Sequence, residues 1–377
     1  MADRNARVAV VGAGDVGAAV LRRLAVADEV GHVLALDVDG PRASMAAADA
    51  AAIALYQDRT PNIEIGAVDV SDPDALDRAF TDFRPDAVVN AATLQSWWVI
   101  TQLPFEQWRR LESEARFGPW IPFHLVPARW VMESLQRTAP GTPVVNIAFP
   151  DAVNPVLGKL GMAPTCGAGN SDLLRPGLTL AAARRLSVEP SEVRIELIAH
   201  HYHVVYFWMD LNEEDELDPS TFHLRVHYNG EDVSAELDVR SLMEEAGRGI
   251  PKGRAVGERT AASAVKNVRL LLGKSPVTDH ATAPNGLAGG FDGLFAAGSI
   301  EILLPEGMDL ATAVVFSDRA QLGDRIEAIE EDGSVRFTEA SAGAMFEILG
   351  YDCPVLHPDE AYERAQELRT RLHSLIE

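Results

Sequence analysis

The chain has 377 residues, 47% hydrophobic and 24% charged, the profile of a globular protein with a sizeable core rather than a disordered, collagen-like or coiled-coil chain. Acidic residues outnumber basic ones 56 to 33, and the formal net charge of −23 repels phosphate backbones and anionic lipid head groups, arguing against nucleic-acid and membrane partners. Cys166 and Cys353 are too few for a disulfide framework or a paired metal site, and no run is apolar enough for a signal peptide or membrane span, so a reducing cytoplasm is the expected compartment.

In chain order, the run from Arg7 reads as a buried strand, Asp15 onward as a helix, and the run from His32 as a second strand. The alanine-rich stretch Ser44–Tyr56 reads as helix, and Asn62 opens a third strand. Ser71 or Asp72 is placed to cap a helix with Pro73 in its first turn, and Asp86 opens a fourth strand. This alternation predicts a doubly wound parallel sheet with helices on both faces.

The segment of about 93–130 breaks the pattern with Trp97, Trp98, Trp108, Trp120 and Trp130, and reads either as a lid over a ligand cleft or as extra core. A strand from Thr142 follows, and a boundary near Pro150 divides an α/β dinucleotide-binding domain (1–150) from a mixed α/β catalytic domain (151–377). In the latter, the expected elements are a helix Ser171–Leu186, a strand over 192–207 and a hairpin turning at Asn229-Gly230. A long helix from Arg254 and a terminal helix from about Pro358 complete it.

Gly12-Ala13-Gly14-Asp15-Val16-Gly17 fits G-x-G-x-x-G between a strand and a helix. Gly12 permits the tight turn, Gly14 lets backbone approach a pyrophosphate, Gly17 lets helix pack on strand, and the helix N-terminus offers N–H groups to phosphate. Asp37 ends the second strand 20 residues after Gly17, the position of a carboxylate that binds ribose hydroxyls. An acid there favours NAD, with Arg42 near enough to leave NADP open. Asp69 is placed to contact adenine or to cap a helix, and Asn90 and Ala91 to approach the nicotinamide ribose. The bland alternative is a Rossmann-like domain that no longer binds a nucleotide.

The stretch Gly167-Ala168-Gly169-Asn170-Ser171-Asp172-Leu173-Leu174-Arg175, with the strand and Asn154-Pro155 helix before it, resembles the malate and lactate dehydrogenases. The first domain, with VVGAGDVG, VDVSDPDAL and VVNAA, also resembles saccharopine-dehydrogenase-like reductases. The first resemblance implies that Asp172 orients a catalytic histidine and that Arg175 grips a substrate carboxylate. His200 and His201 fall 28 and 29 residues after Asp172, where that histidine is expected. The family's asparagine before proline is replaced by Phe149, with Asn146 three residues earlier as the substitute. Candidates for its loop arginine are Arg109, Arg110 and Arg116. The family also implies a homodimer or homotetramer.

Chemically, a His–Asp pair suits hydride transfer at a carbinol carbon, because neutral imidazole accepts the hydroxyl proton and the carboxylate stabilises the imidazolium. Read as a strand, His201 and His203 share a face, which leaves open two metal ligands or merely structural imidazoles. Asp172 and Arg175 could equally be an i,i+3 surface ion pair. The expected function is an NAD-dependent oxidoreductase acting on a 2-hydroxy or 2-oxo acid, or a similar small carboxylate, whose bulky apolar group is covered by Trp97, Trp98 and Trp120. No resident metal is expected. Two alternatives stay open: an NAD- and metal-assisted lyase or glycosidase-like enzyme, and a nucleotide sensor without chemistry.

Overall fold

The computed structural model describes residues 5–208 and 217–376. α1 (Asp15–Ala25) joins β1 (Ala6–Val11) to β2 (Val30–Asp37), α2 (Gly40–Leu55) joins β2 to β3 (Asn62–Ala67), and α3 (Pro73–Phe83) joins β3 to β4 (Ala87–Asn90). All these strands pair in parallel. Helices cover both faces of β1 and β4, which is why Val8–Val11 and Ala87–Val89 are unbroken apolar runs. Asp39 caps α2 by accepting from the Arg42 N–H. Of the two candidate caps ahead of α3, Asp72 is used, accepting from Ala75 N–H with Pro73 in the first turn.

After β4 the aromatic segment folds into α4 (Trp97–Ile100), α5 (Phe105–Arg110), a π-turn Leu111–Ala115 and a 3-10 turn Gly118–Trp120, then enters α6 (Pro122–Thr138). β5 (Val144–Asn146), α7 (Pro150–Lys159) and β6 (Cys166–Gly167) complete a parallel run ordered β3-β2-β1-β4-β5-β6. In such a doubly wound sheet the ligand crevice lies beyond the C-terminal strand ends, where the strand order reverses.

α8 (Leu174–Leu186) leads to β7 (Val193–Ile198), the one-turn α9 (Tyr202–Val205), β8 (His223–Tyr228), β9 (Glu231–Asp232) and α10 (Val239–Arg248). β7, β8 and β9 form a small antiparallel sheet that shares a core with α8 and α10. Its hairpin turns at Asn229-Gly230 as expected, both with positive φ (52° and 83°). α11 (Val256–Leu272) packs back on α1, and β10 (Val277–Thr282), β11 (Gly290–Ala296) and β12 (Ser299–Leu303) extend the main sheet antiparallel from β6, giving nine strands. The chain ends with α12 (Leu310–Gln321), β13 (Ile326–Ile329), β14 (Val335–Phe337), α13 (Glu339–Leu349), β15 (Val355–Leu356) and α14 (Ala361–Ile376).

Two expectations change. The strand foreseen over 192–207 ends at Ile198, with a single bridge from Ala199 to Gly290. His201 has helical φ/ψ, and the His203 ring accepts the His200 N–H. The turn is thus closed by an imidazole, and strand alternation cannot assign the faces of these histidines. Second, of the two readings of the aromatic segment, a lid or extra core, extra core describes its buried part. Leu103, Leu111 and Trp120 share one buried core with Ile326, Phe337, Met345 and Leu368 of the C-terminal elements. Trp120 is only 1% exposed. Sequence-distant apolar residues thus fix this insertion from outside, a contact that local patterning cannot reveal.

Candidate active site

The C-terminal ends of β1, β2, β4 and β5 open into a cleft of about 1190 Å³ lined by Gly12, Gly14, Asp15, Val16, Gly17, Asp37, Asp69 and Ala91. Gly12 has φ +91°, and a Cβ there would lie 2.8 Å from Ala91 backbone; a Cβ on Gly17 would overlap the Gly12 carbonyl oxygen. Gly14 has open space around its Cα and caps α1 without a side-chain bond, so the first N–H groups of that helix stay free for an anion.

Asp37 is 7% exposed, and its two oxygens accept from Ala13 N–H (2.7 Å) and Asp39 N–H (2.9 Å). These bonds tie the glycine turn to the end of β2 while leaving carboxylate lone pairs for ribose hydroxyls. Arg42 leans on this acid at 3.7 Å and on Asp39 at 3.1 Å. Asp69 is spent partly on its own turn, accepting from the Ser71 N–H and hydroxyl.

Asn90 is almost wholly buried and donates to Asn146 (2.9 Å), whose amide donates to Asn154, which donates to Ala283 O. Asn146 Oδ1 also accepts from Ala148 N–H. With 0% exposure and its amide committed, Asn146 has no face for a substrate, and its expected binding role gives way to bracing β5 against β4.

Beside this cleft stand His124 on α6 and Phe149, held at φ 45° ahead of α7. The His201 ring packs edge-on against Phe149 (5.0 Å between centroids) and Phe117 (4.9 Å), and Phe117 stacks on Trp97. His201 Nδ1 lies 2.9 and 3.0 Å from the two oxygens of Asp324, a carboxylate with no exposure at all. The His201 backbone N–H donates to Asp151 Oδ2 (2.6 Å) in the first turn of α7, an oxygen that also accepts from Asn170; Asp151 Oδ1 is buried without a partner among the described residues. Burial disfavours a charged His201 ring, but Asp324 and then Asp151 outweigh it and hold its pKa above the ordinary value. His124 goes the other way, pushed down to about 4 by burial and then by His201, and its Nδ1 has no partner among the described residues.

His200 is buried with Nδ1 3.5 Å from Asp324. His203 bonds Thr221 as well as the His200 N–H, and burial, then His200, pushes it down to about 3. Both its nitrogens are engaged within the fold, so the reading of His201 and His203 as paired metal ligands is not met. Among the described residues, no three His, Cys, Asp or Glu side chains are grouped to hold a metal ion.

Asp172 and Arg175 come together, but not beside His201. Asp172 accepts from Ser263 (2.6 Å) and Lys266 (3.0 Å), and Arg175 pairs with Asp279, in a groove of about 880 Å³ bordered by α8 and α11. Lys266 and His280, with the Ser263 bond, hold the buried Asp172 carboxyl below its usual range against the opposing effect of burial. The short 3-10 turn Asn170–Leu173 ahead of α8 sets the direction of Asp172, and sequence spacing could not show it.

None of the three candidate arginines enters the cleft lining. Arg110 pairs with Glu114 and Glu347, Arg109 lies over Phe105, and Arg116 donates to Gly323 O, bracing the turn that carries Asp324. Trp97 and Trp98 do line the cleft, whereas Trp120 is in the core with its indole N–H on Arg116 O, which corrects its expected place in the substrate cover. Asp324, Asp151 and His124 were missed by sequence reasoning. Only Asp151, an acid in a first helical turn directly after a strand, carried a local signal.

Residues 8–102 match the family model described as Saccharopine dehydrogenase NADP binding domain. Comparison with curated protein sequences returns no match. Among solved structures, lactate dehydrogenase from Eimeria maxima with NADH and oxamate is similar with a TM-score of 0.60 at 16% identity, over 85% of this chain and 93% of that one. Malate dehydrogenase from Cryptosporidium parvum gives 0.57 at 16% identity over 85% and 98%, and malate dehydrogenase from Salinibacter ruber 0.54 at 16% over 84% and 95%. The chain thus has the lactate/malate dehydrogenase fold, with a nicotinamide-dinucleotide-binding domain at residues 8–102.

Proposed function

We propose that the protein is an NAD(P)-dependent dehydrogenase acting on the carbinol or carbonyl carbon of a small carboxylate, with His201 as the proton-transfer group. The observation that carries this reading is the pairing of part-buried His201 with the fully buried Asp324, one aromatic ring away from the dinucleotide cleft. The cleft suits the cofactor: the Gly12 turn leaves no room for a side chain, Gly14 leaves N–H groups free, and Asp37 keeps acceptor capacity. When bound, the nicotinamide supplies the hydride acceptor or donor.

The chain's own residues supply the rest. Asp324 fixes the ring through Nδ1, so Nε2 is the atom that takes or returns the substrate proton, and the carboxylate stabilises the imidazolium that results. Phe149 and Phe117 pack edge-on against that ring, with Trp97 stacked behind Phe117, and this apolar wall limits water at the pair and strengthens its electrostatics. Neutral His124, at the cleft wall, can donate or accept a bond to the same oxygen without competing for the proton. Asp172 and Arg175, tied to Lys266, Ser263 and Asp279, take no part in this proton path. NADH oxidation across a panel of 2-oxo acids, and NAD reduction across 2-hydroxy acids, tests the reading. Dinucleotide binding without turnover of any member, with His201→Gln no different, would favour a sensor.

A further inference from the structure

We infer that Arg254, from the second half of the chain, binds the pyrophosphate of the dinucleotide. This rests on the dinucleotide reading of the cleft and goes beyond it, since the glycine turn and Asp37 would otherwise be the whole cofactor grip.

Arg254 sits in the 3-10 turn Gly253–Ala255 directly before α11. α11 is fastened along α1 near the cleft: Glu258 accepts from Arg22 (2.7 Å) and Arg23 (3.2 Å), and a Cβ on Gly257 would lie 3.3 Å from Val16 Cγ2. This docking places Arg254 over the first turn of α1. Its Nε is 3.5 Å from Asp15 Oδ2, and its guanidinium lies 5.7 Å from the Trp98 ring centroid. Asp15 is the first residue of α1, immediately after Gly14, and Trp98 stands on α4 beyond β4. The guanidinium therefore bridges the cleft mouth, between the phosphate-binding turn and the aromatic wall.

Three features point to phosphate as the ligand. The shortest contact of Arg254 to an acid is through Nε, and its terminal nitrogens, the fork that grips phosphate oxygens in pairs, make no hydrogen bond among the described residues. The other arginines around the turn are already committed, Arg22 to Asp49 and Glu258, Arg42 to Asp37 and Asp39. Asp15 puts a negative charge at the place where two phosphate charges must come, and Arg254 is the cation that offsets it. The cation–π contact with Trp98 favours this placement of an otherwise largely exposed side chain at the cleft mouth.

Calorimetry on the full chain with NADH and with ADP-ribose tests this. Arg254→Ala should raise Kd for both ligands by ~10-fold or more, and Arg254→Lys should recover part of the loss, because charge returns without the fork. In an Asp15→Asn background the same Arg254→Ala step should still cost ~5-fold or more, since the phosphate contact is still removed. A loss that vanishes in that background would mean that Arg254 only neutralises Asp15, and would overturn the inference. Unchanged ADP-ribose affinity in a normally melting Arg254→Ala protein would overturn it equally. If the unmodified chain bound neither ligand, the dinucleotide reading itself would fall.

Discussion

His201 and Asp324 stand 123 positions apart in sequence, and the imidazole Nδ1 faces both oxygens of that carboxylate at 2.9 and 3.0 Å. Only the fold creates this pair: His201 follows β7, Asp324 ends the turn after α12, and Arg116 from the aromatic insertion holds the neighbouring Gly323 carbonyl. Removing His201 would leave the fully buried Asp324 carboxylate without its nearest cation, a change that costs stability.

The first prediction follows from it. Asp324→Asn and His201→Gln should each lower kcat by ~10²–10⁴ while cofactor Kd changes little. Asp324→Asn should also move the acid limb of the kcat/KM profile to lower pH, because the carboxylate that raises the His201 pKa is gone. Asp172→Asn should leave that limb in place. A limb that shifts with Asp172→Asn and not with Asp324→Asn would restore the partnership expected from spacing.

Cofactor choice is expected to turn on Asp37. Asp37→Ala removes the ribose acceptor and also the bonds to Ala13 and Asp39 N–H, so NAD affinity should fall by at least ~10-fold. NADP should lose less, because a negative charge near its 2′-phosphate disappears and Arg42 is released from the acid. Calorimetry with both dinucleotides reads the ratio directly; tighter NADP binding to the unmodified chain would show that Arg42, not Asp37, sets the preference.

Two histidines should make the fold acid-sensitive. An unfolded histidine takes up its proton near pH 6.5, whereas folded His124 does so only near 4 and folded His203 near 3. Between those values the unfolded state binds more protons, so stability falls as pH drops from about 6.5 towards 4, by up to ~1.4 kcal/mol per pH unit for each ring. His201 has the opposite sign: its raised folded pKa stabilises at low pH and that contribution is lost as pH rises through it. Urea midpoints between pH 7 and pH 4 should therefore fall, and His203→Asn, whatever its starting stability, should flatten the slope.

The glycine turn, Asp37 and the parallel strands were legible because each is local: Gly12, Gly14 and Gly17 are within one turn of chain, and buried parallel strands are continuous apolar runs. The sequence singles out Asp172 as the acid that orients His200 or His201, or as a surface partner of Arg175, and the structure buries it with Ser263 and Lys266 instead. An offset of 29 residues to His201 fixes a distance along the chain, while a short 3-10 turn fixes the direction of the carboxylate. Trp120 shows the same limit. Its aromatic surroundings suited a cleft wall or a core, and the decision rests with Phe337, Met345 and Leu368, more than two hundred residues away.

The last prediction concerns the grip on an acid substrate. Arg175, the residue expected for it, is paired with Asp279 in the groove bordered by α8 and α11, so releasing it would leave a part-buried carboxylate beside Asp172. Arg369 is better placed. It lines the dinucleotide cleft from α14, as His124, Trp97 and Trp98 do from the other elements, and its hydrogen bond goes to the neutral amide of Gln366. One turn further along, His373 bonds Gln95 in the loop after β4, which ties that helix to the cleft wall. A guanidinium there can take a carboxylate in paired bonds and set its carbon against the nicotinamide. Arg369→Gln should raise KM for 2-oxo acids by ~10–100-fold and spare the corresponding methyl esters, while Arg175→Gln should lower the melting temperature with little change in KM. Trp97→Ala should cost more with a bulky acid than with lactate, by ~10-fold or more if the ring covers an apolar group. Unchanged KM in Arg369→Gln together with a large rise in Arg175→Gln would return the carboxylate clamp to the position read from the D-x-x-R spacing.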